Sequence, residues 1–114
     1  MEQTTLFHIL SDETRLRALA LMQTSGELCI CELVHALALP QPKISRHMAA
    51  MRDAGIVTPR RDAQWVFYAL SPALPDWQQQ VVTAAMLGLR GNQTIADDLA
   101  RLQSMANRPA RCAT

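Results

Sequence analysis

Two short helical patterns separated by a proline-containing turn occupy residues 29–54, and they constrain the fold more than any other stretch. In the first pattern, Leu33 and Leu37 lie on one apolar face. The turn at residues 39–42 contains two prolines, and Pro42 suits the start of a second helix, where no backbone N–H is needed. A helix, a tight turn and a second helix predict a helix-turn-helix unit.

The second of these helices is expected to run to about residue 53, with Gly55 as its C-terminal stop. Its core-facing positions, at i, i+4 and i+7, are Ile44, Met48 and Met51. Residues 43–61 carry five basic side chains against one acidic one, a net charge of +4, whereas the whole chain has a formal net charge of +1. Basic side chains gain affinity for polyanions by releasing counterions from phosphates, so this segment favours a nucleic-acid contact.

A β-hairpin is predicted directly after this unit. Residues 56–61 and 64–70 have strand patterns, and the second includes four consecutive β-formers at residues 65–68. The turn between them has arginines beside it. A basic hairpin after a helix-turn-helix is typical of the wing of a winged helix. The expected fold class is therefore mainly α with a small β-hairpin, a winged helix-turn-helix of about five to six helices and a two-stranded wing.

Four further helical patterns flank this unit. Residues 4–10 form a short apolar one, Ser11 is expected to be the N-cap of the next, and Asp76 begins a third. The last pattern includes residues 95–102. The first helix and residues 77–89 have no obvious place in a small three-helix core. They could pack inward, or both could pack against a second copy of the chain, and the second arrangement predicts a homodimer.

The 114 residues suffice for one domain, which we expect to cover residues 1–106, followed by a flexible tail at 107–114. With 49% apolar and 18% charged residues, the composition favours a folded globule over disorder. No apolar run approaches the roughly 20 residues that span a bilayer, and no signal-peptide pattern is present. We therefore expect a cytoplasmic protein with no membrane partner and with reduced cysteines. No catalytic motif is readable, so an enzyme is not expected.

Four motifs in order along the chain resemble those of the ArsR/SmtB family, most closely its arsenical-resistance repressors. They are Ser-Asp-Glu-Thr-Arg-Leu-Arg at 11–17, Glu-Leu-Cys-Ile-Cys-Glu-Leu at 27–33, Gln-Pro-Lys-Ile-Ser-Arg-His at 41–47 and Gln-Trp-Val-Phe-Tyr-Ala-Leu-Ser-Pro at 64–72. The resemblance covers about residues 5–77. It implies a homodimeric repressor that binds an inverted-repeat operator in double-stranded DNA and leaves it when a metal or metalloid binds.

The expected DNA contacts lie in the second helix of the helix-turn-helix unit and in the wing. The N-terminal half of such a helix enters the major groove, where Gln and Arg can bind base edges and Lys and Ser can reach phosphates. The wing would meet the DNA backbone or the minor groove. The candidates are Gln41, Lys43, Ser45, Arg46 and His47 in the helix, and Arg60, Arg61 and Gln64 in the wing. Each could instead be a solvated surface residue, and His47 could serve only to support the turn.

The resemblance also implies an inducer, As(III) or Sb(III), and no constitutive cofactor. These soft metalloids prefer thiolates, typically three. Residues two apart on an ideal helix point about 200° away from each other. Cys29 and Cys31 can therefore bind one atom only if Cys29 precedes the helix or the helix start unwinds. Such binding would pull the helix out of its DNA-competent geometry. Both cysteines could instead be small buried apolar residues.

The third ligand is open, because Val34 stands where enteric-type arsenic sensors have a third cysteine. Cys112 could supply it from either subunit of a dimer, or hydroxide or a small thiol could complete a two-cysteine site. Cys112 could also be an idle tail residue. There are two other departures from the family pattern. Pro40 precedes the second helix of the helix-turn-helix unit, the recognition helix, and Asp62-Ala63 occupies the wing turn. These departures concern operator affinity and turn geometry.

Three alternative functions remain. On the same fold, the protein could be a thiol-based redox sensor or a cadmium- or lead-responsive repressor. From another class, it could be a small metal-binding or interaction protein without a DNA function, although the basic wing argues against this.

Overall fold

The computed structural model describes residues 1–109, which form six helices and three strands. In chain order these are α1 (Gln3–Leu10), α2 (Glu13–Ser25), β1 (Leu28–Cys29), α3 (Ile30–Leu37), α4 (Gln41–Ala54), β2 (Val57–Asp62), β3 (Trp65–Leu70), α5 (Asp76–Gly88) and α6 (Gln93–Gln103). The helix-turn-helix unit is α3 and α4, and the wing is the β2–β3 hairpin. The predicted fold class, a mainly α winged helix-turn-helix, is confirmed.

The three strands form one antiparallel sheet in the order β1-β3-β2. In the wing, the pairing runs from Val57 opposite Leu70 to Asp62 opposite Trp65. On the other side of β3, Cys29 lies opposite Phe67. The strand that contains Cys29, β1, is thus hydrogen-bonded to the wing strand β3.

The hydrophobic core lies between α2, α3, α4 and the inner sides of the flanking helices. The predicted core-facing residues of α4 are buried: Ile44, Met48 and Met51. α1 and α5 also pack inward, through Leu6, Ile9, Val82 and Met86. Both helices nevertheless keep large apolar side chains in solvent. These are Phe7, Trp77 and Leu87, which are 56%, 38% and 51% exposed.

The start of α2 differs from the prediction that Ser11 is its N-cap. Asp12 is the N-cap, and its carboxylate accepts the backbone N–H of Arg15 at 3.1 Å. Ser11 ends α1 instead, where its hydroxyl donates to the carbonyl oxygen of His8 at 2.7 Å. A carboxylate also interacts favourably with the positive end of the helix dipole, which explains why the aspartate takes this position.

α6 is fastened to the end of α3 by a buried ion cluster that the sequence did not predict. The fully buried carboxylate of Asp98 accepts hydrogen bonds from Arg17 at 2.7 and 2.8 Å and from Arg101 at 2.7 Å. Arg17 also donates to the carbonyl oxygen of Leu37 at 2.9 Å, and Arg101 to that of Ala36 at 2.8 Å. Two of the unpaired carbonyls at the C-terminus of α3 are therefore satisfied by arginines from α2 and α6.

After α6, the chain returns to the start of α3. The Nε of Arg108 donates to the Oε2 of Glu32 at 2.6 Å, and Pro109 is buried. The segment that was predicted to be a tail thus contacts the domain as far as it is described. Residues 110–114, which include Cys112, lie outside the described residues, so the flexible tail and the domain boundary at 106 stay predictions. Within residues 1–109, no helix is long and apolar enough to cross a membrane.

Candidate DNA interface and thiol site

The first two turns of α4 present polar and cationic groups away from the core. Gln41 and Arg46 are exposed, and Lys43 and Ser45 are partly exposed. The buried stripe of α4 and the αL glycine at its end, Gly55 with φ 87°, fix the direction of this polar face. An amide, two cations and a hydroxyl on one short stretch of helix are the groups that read base edges and phosphates.

His47 lies on α4 but points towards the start of α2. Its Nδ1 is 3.2 Å from Nη1 of Arg15, and its Nε2 is 3.9 Å from Oδ1 of Asp12. Because an arginine can only donate, Nδ1 must be the unprotonated acceptor. Burial lowers the pKa of His47, and Arg15 lowers it further, while Asp12 partly offsets both. These contacts favour a supporting role for a neutral His47 over a direct contact with DNA.

Arg15 extends this support to the end of α1. Its Nε donates to the carbonyl oxygen of Ile9 at 2.8 Å and its Nη2 to that of His8 at 3.0 Å. Burial raises the pKa of Asp12, but the backbone N–H and the charge of Arg15 act in the opposite direction, and the net pKa is lowered. Arg15 thus joins α1, α2 and α4. In the sequence, the position of Arg15 within the 11–17 motif is the only sign of such a role.

The arginines of the wing differ in their surroundings. Arg60 forms a two-pronged ion pair with Glu27, lies 3.6 Å from Asp62 and places its guanidinium 5.3 Å from the ring centre of Phe67. Hydrogen bonding to Glu27 raises the pKa of Arg60. These contacts favour a role for Arg60 in bracing the base of the wing rather than in meeting phosphates.

Arg61 and Gln64 are exposed near the tip of the wing. Between the strands, Ala63 has a φ of 55°, in the left-handed region where a hairpin turn usually has glycine or asparagine. The turn closes despite this departure, with Asp62 opposite Trp65. The tip thus leaves one cation and one amide facing solvent beside α4.

The thiol pair spans the boundary between β1 and α3. Cys29 is the N-cap of α3, with the extended backbone angles φ −83° and ψ 166°. The Cα atoms of Cys29 and Cys31 are 5.4 Å apart and their sulfurs form a disulfide. Of the two predicted alternatives, the first, in which Cys29 precedes the helix, is therefore the one observed. The cysteines were predicted to be reduced, whereas this structure has them as a disulfide. The bond can form because Cys29 lies outside the helix and does not point away from Cys31.

The described residues bring together two of the three predicted metalloid ligands. Cys112 lies outside residues 1–109, and within that range no group of three His, Cys, Asp or Glu side chains is placed to hold a metal ion. Val34, at the position of the expected third cysteine, is a partly buried residue that packs against the core.

A cavity of about 380 Å³ connects the thiol pair to two of the predicted DNA contacts. Its walls are Cys29, Ile30, Cys31, Gln41, Gln64, Trp65 and Val66. Gln41 is the first residue of α4, and Gln64 lies in the turn of the wing. Neither the cavity nor its apolar wall could be read from sequence spacing. A group bound at the sulfurs would lie in the same cavity as two predicted DNA contacts.

A helix-turn-helix with a basic polar face, followed by a wing, defines a winged helix-turn-helix transcriptional regulator. The model of the family described as "Bacterial regulatory protein, arsR family" matches residues 12–58. The chain is 46% identical over 106 residues to the arsenic resistance transcriptional regulator ArsR2 of Pseudomonas putida, a match that covers 93% of this chain and 90% of the relative. The chain belongs to the ArsR family of transcriptional regulators, and it is a DNA-binding protein of that repressor type rather than an enzyme.

Two further comparisons agree with this assignment. The arsenical resistance operon repressor of Escherichia coli is 48% identical over 80 residues, which cover 70% of this chain and 68% of the relative. Among solved structures, HlyU from Vibrio cholerae is similar with a TM-score of 0.64 and 33% identity, covering 79% of this chain and 96% of that one.

Proposed function

We propose that this protein is a homodimeric repressor that binds an inverted-repeat operator and releases it when As(III) or Sb(III) binds the thiolates of Cys29 and Cys31. The observation that carries the proposal is the position of the two sulfurs, at the N-cap of α3 and in one cavity with Gln41 and Gln64. The names of the relatives, which are arsenic resistance regulators, support the choice of inducer.

Binding must change the geometry of the turn at residues 29–31, which we call the sensor turn. Each thiol gives its proton to a hydroxide of arsenous acid, two waters leave and two As–S bonds form. An arsenic atom bonded to both sulfurs fixes their separation and the angle between them, which free thiols do not, so the turn that carries Cys29 and Cys31 takes up a new geometry. β1 is paired with β3 and α3 packs on α4, so the displacement acts on the wing and on the recognition helix. The third position on arsenic is filled by Cys112, hydroxide or a small thiol.

A second candidate function is supported by one observation, the disulfide between Cys29 and Cys31. A disulfide has no thiolate to offer, so the oxidised protein cannot bind the metalloid at this pair. In a redox sensor, formation of this bond would itself change operator affinity. Oxidant-driven release without an arsenite effect would favour that function over metalloid sensing.

Substitution of two arginines of α4, one at a time, tests whether this helix binds the operator. We expect Arg46→Ala to weaken binding by about 1–3 kcal/mol and to relax specificity at one base pair, because an exposed arginine near the helix start can bind a guanine edge. Arg52→Ala is the matched control, since Arg52 lies in the last turn and pairs with Asp53 at 3.2 Å. Fluorescence anisotropy with labelled operator at fixed salt measures both, and equal losses would contradict the assignment.

Dimerisation is proposed through α1 and α5. Among residues 1–109, the exposed large apolar side chains all belong to these two helices. Gln78 of α5 also donates to the carbonyl oxygen of Met1 at 2.8 Å, which places α5 beside the start of α1. A shared surface of this kind would be buried by a two-fold partner.

We expect Leu87→Glu to shift the protein from dimer to monomer, because it places a charge on this apolar surface. Sedimentation velocity measures the shift. Gln103→Glu, which adds the same charge at an exposed position near the end of α6, should leave the dimer intact. A Leu87→Glu protein that sediments as the wild type does would rule out this surface.

A further inference from the structure

We propose that Arg108 is a positioning residue for the thiol sensor. Through the buried carboxylate of Glu32 it holds the turn at Cys29, and so it sets how much inducer is needed to release the operator. The inference rests on the proposed function, because it concerns the regulation of the same site.

Glu32 joins the sensor turn to the segment that follows α6. It lies in the first turn of α3, and its side chain is fully buried, with 0% exposure. Its Oε1 accepts the backbone N–H of Cys29 at 3.0 Å, and its Oε2 accepts Nε of Arg108 at 2.6 Å. One carboxylate thus connects the N-cap that carries a sensor sulfur to a residue 76 positions later.

The two members of this ion pair do not depend on each other equally. The side chain of Arg108 is 33% exposed, so without Glu32 its guanidinium can be solvated where it lies. Glu32 has no such access to water, and a buried carboxylate that loses a cation partner is strongly penalised. Removing Arg108 therefore favours a reorientation of the Glu32 side chain, which weakens its hydrogen bond with Cys29.

That hydrogen bond opposes the movement which induction requires. When a metalloid bonds to both Cys29 and Cys31 and fixes their relative position, the N-cap turn must shift relative to the rest of α3. A charged, fixed Glu32 resists the shift, because charge-assisted hydrogen bonds are stronger than neutral ones. Pro109 is buried directly after Arg108, which fixes the end of the described segment against the domain. The Arg108–Glu32 pair therefore stabilises the DNA-competent form relative to the induced form.

The test compares arsenite titrations of operator complexes kept reduced with a phosphine. We expect Arg108→Met to lower the arsenite concentration for half-release about tenfold, the effect of one charge-assisted hydrogen bond. Arg108→Lys keeps the cation and should restore a concentration near that of the wild type. Arg90→Met is the matched control, because Arg90 is exposed and forms no ion pair within residues 1–109.

A double-mutant cycle shows whether the effect passes through Glu32. In Glu32→Gln the carboxylate charge is absent, so adding Arg108→Met should change the half-release concentration by less than about twofold. A full shift in that background would overturn the proposal. So would a wild-type dose response in Arg108→Met, or an equal shift in Arg90→Met.

A second readout separates this inference from the proposed function. In a Cys112→Ser background without any inducer, the reduced Cys29 and Cys31 should react faster with an alkylating reagent when Arg108 is methionine, because the turn is looser. Equal rates overturn the inference. Failure of arsenite to release the wild-type protein overturns the proposed function instead and leaves this comparison intact.

Discussion

The Cys29→Ser and Cys31→Ser variants are expected to bind the operator as the wild type does and to stay bound at arsenite concentrations about a hundredfold higher than those that release the wild type. Two thiolates on one turn bind one arsenic atom as a chelate, and removing either loses the effective concentration of the second donor, which is worth about 10²-fold or more. A hydroxyl is a hard donor and does not replace a thiolate on a soft metalloid.

Operator release followed by fluorescence anisotropy measures this effect, and apo operator affinity shows whether the fold is kept. Cys112→Ser is the companion variant. An unchanged response shows that hydroxide or a small thiol completes the site, whereas a weakened response assigns the third ligand to Cys112. Normal release of either Cys29→Ser or Cys31→Ser would remove the thiol pair from the proposed mechanism.

The largest expected loss of stability comes from Asp98→Ala, which should lower the free energy of unfolding by about 3–5 kcal/mol. The substitution leaves the guanidinium of Arg17, only 13% exposed, without its buried carboxylate. It also loosens the two arginines that satisfy the last carbonyls of α3, at Ala36 and Leu37. Operator affinity should fall as well, because these contacts fix the start of the helix-turn-helix turn.

Urea unfolding at one fixed protein concentration measures this loss, since the stability of the proposed dimer would depend on concentration. The neighbouring Asp97 provides the control, because it is exposed and bonded only to Gln93 on its own helix among the contacts in residues 1–109, at 2.8 Å. Asp97→Ala should cost less than about 0.5 kcal/mol. Similar losses for the two aspartates would show that the buried cluster does not hold α6 to α3.

The recognition helix and the wing could be predicted because their signals are local. The spacing of Ile44, Met48 and Met51 fixes the buried side of α4, and Gly55 fixes its end. Strand patterns fix the β2–β3 hairpin, although its turn has Ala63 at a position that usually needs glycine. Periodicity and turn residues act over a few positions, so one sequence suffices to read them.

The partners of charged residues could not be predicted in the same way. Arg60 was expected to contact DNA because it lies in a basic wing, but its partner Glu27 is 33 positions earlier. Arg15 and His47 are 32 positions apart, and Arg17 and Asp98 are 81 apart. Such pairs depend on the packing of the whole domain. Local charge counts therefore do not show which cations already have an anionic partner within the domain.

The thiol site lies between these two cases. Helix geometry alone predicts that Cys29 precedes the helix or that the helix start unwinds, and the N-cap position agrees with the first alternative. The disulfide, the shared cavity and the bond from Glu32 to Cys29 depend on how β1, α3 and the wing meet.

In the proposed mechanism, a metalloid bound at Cys29 and Cys31 releases the operator. The most direct measurement titrates the wild-type protein–operator complex with arsenite under reducing conditions and follows anisotropy and free thiols in the same sample. We expect DNA to leave as two thiols per chain, or three if Cys112 is the third ligand, become unreactive, and we expect antimonite to act in the same way. A complex that stays intact while these thiols are occupied, or that dissociates only with an oxidant, would contradict it.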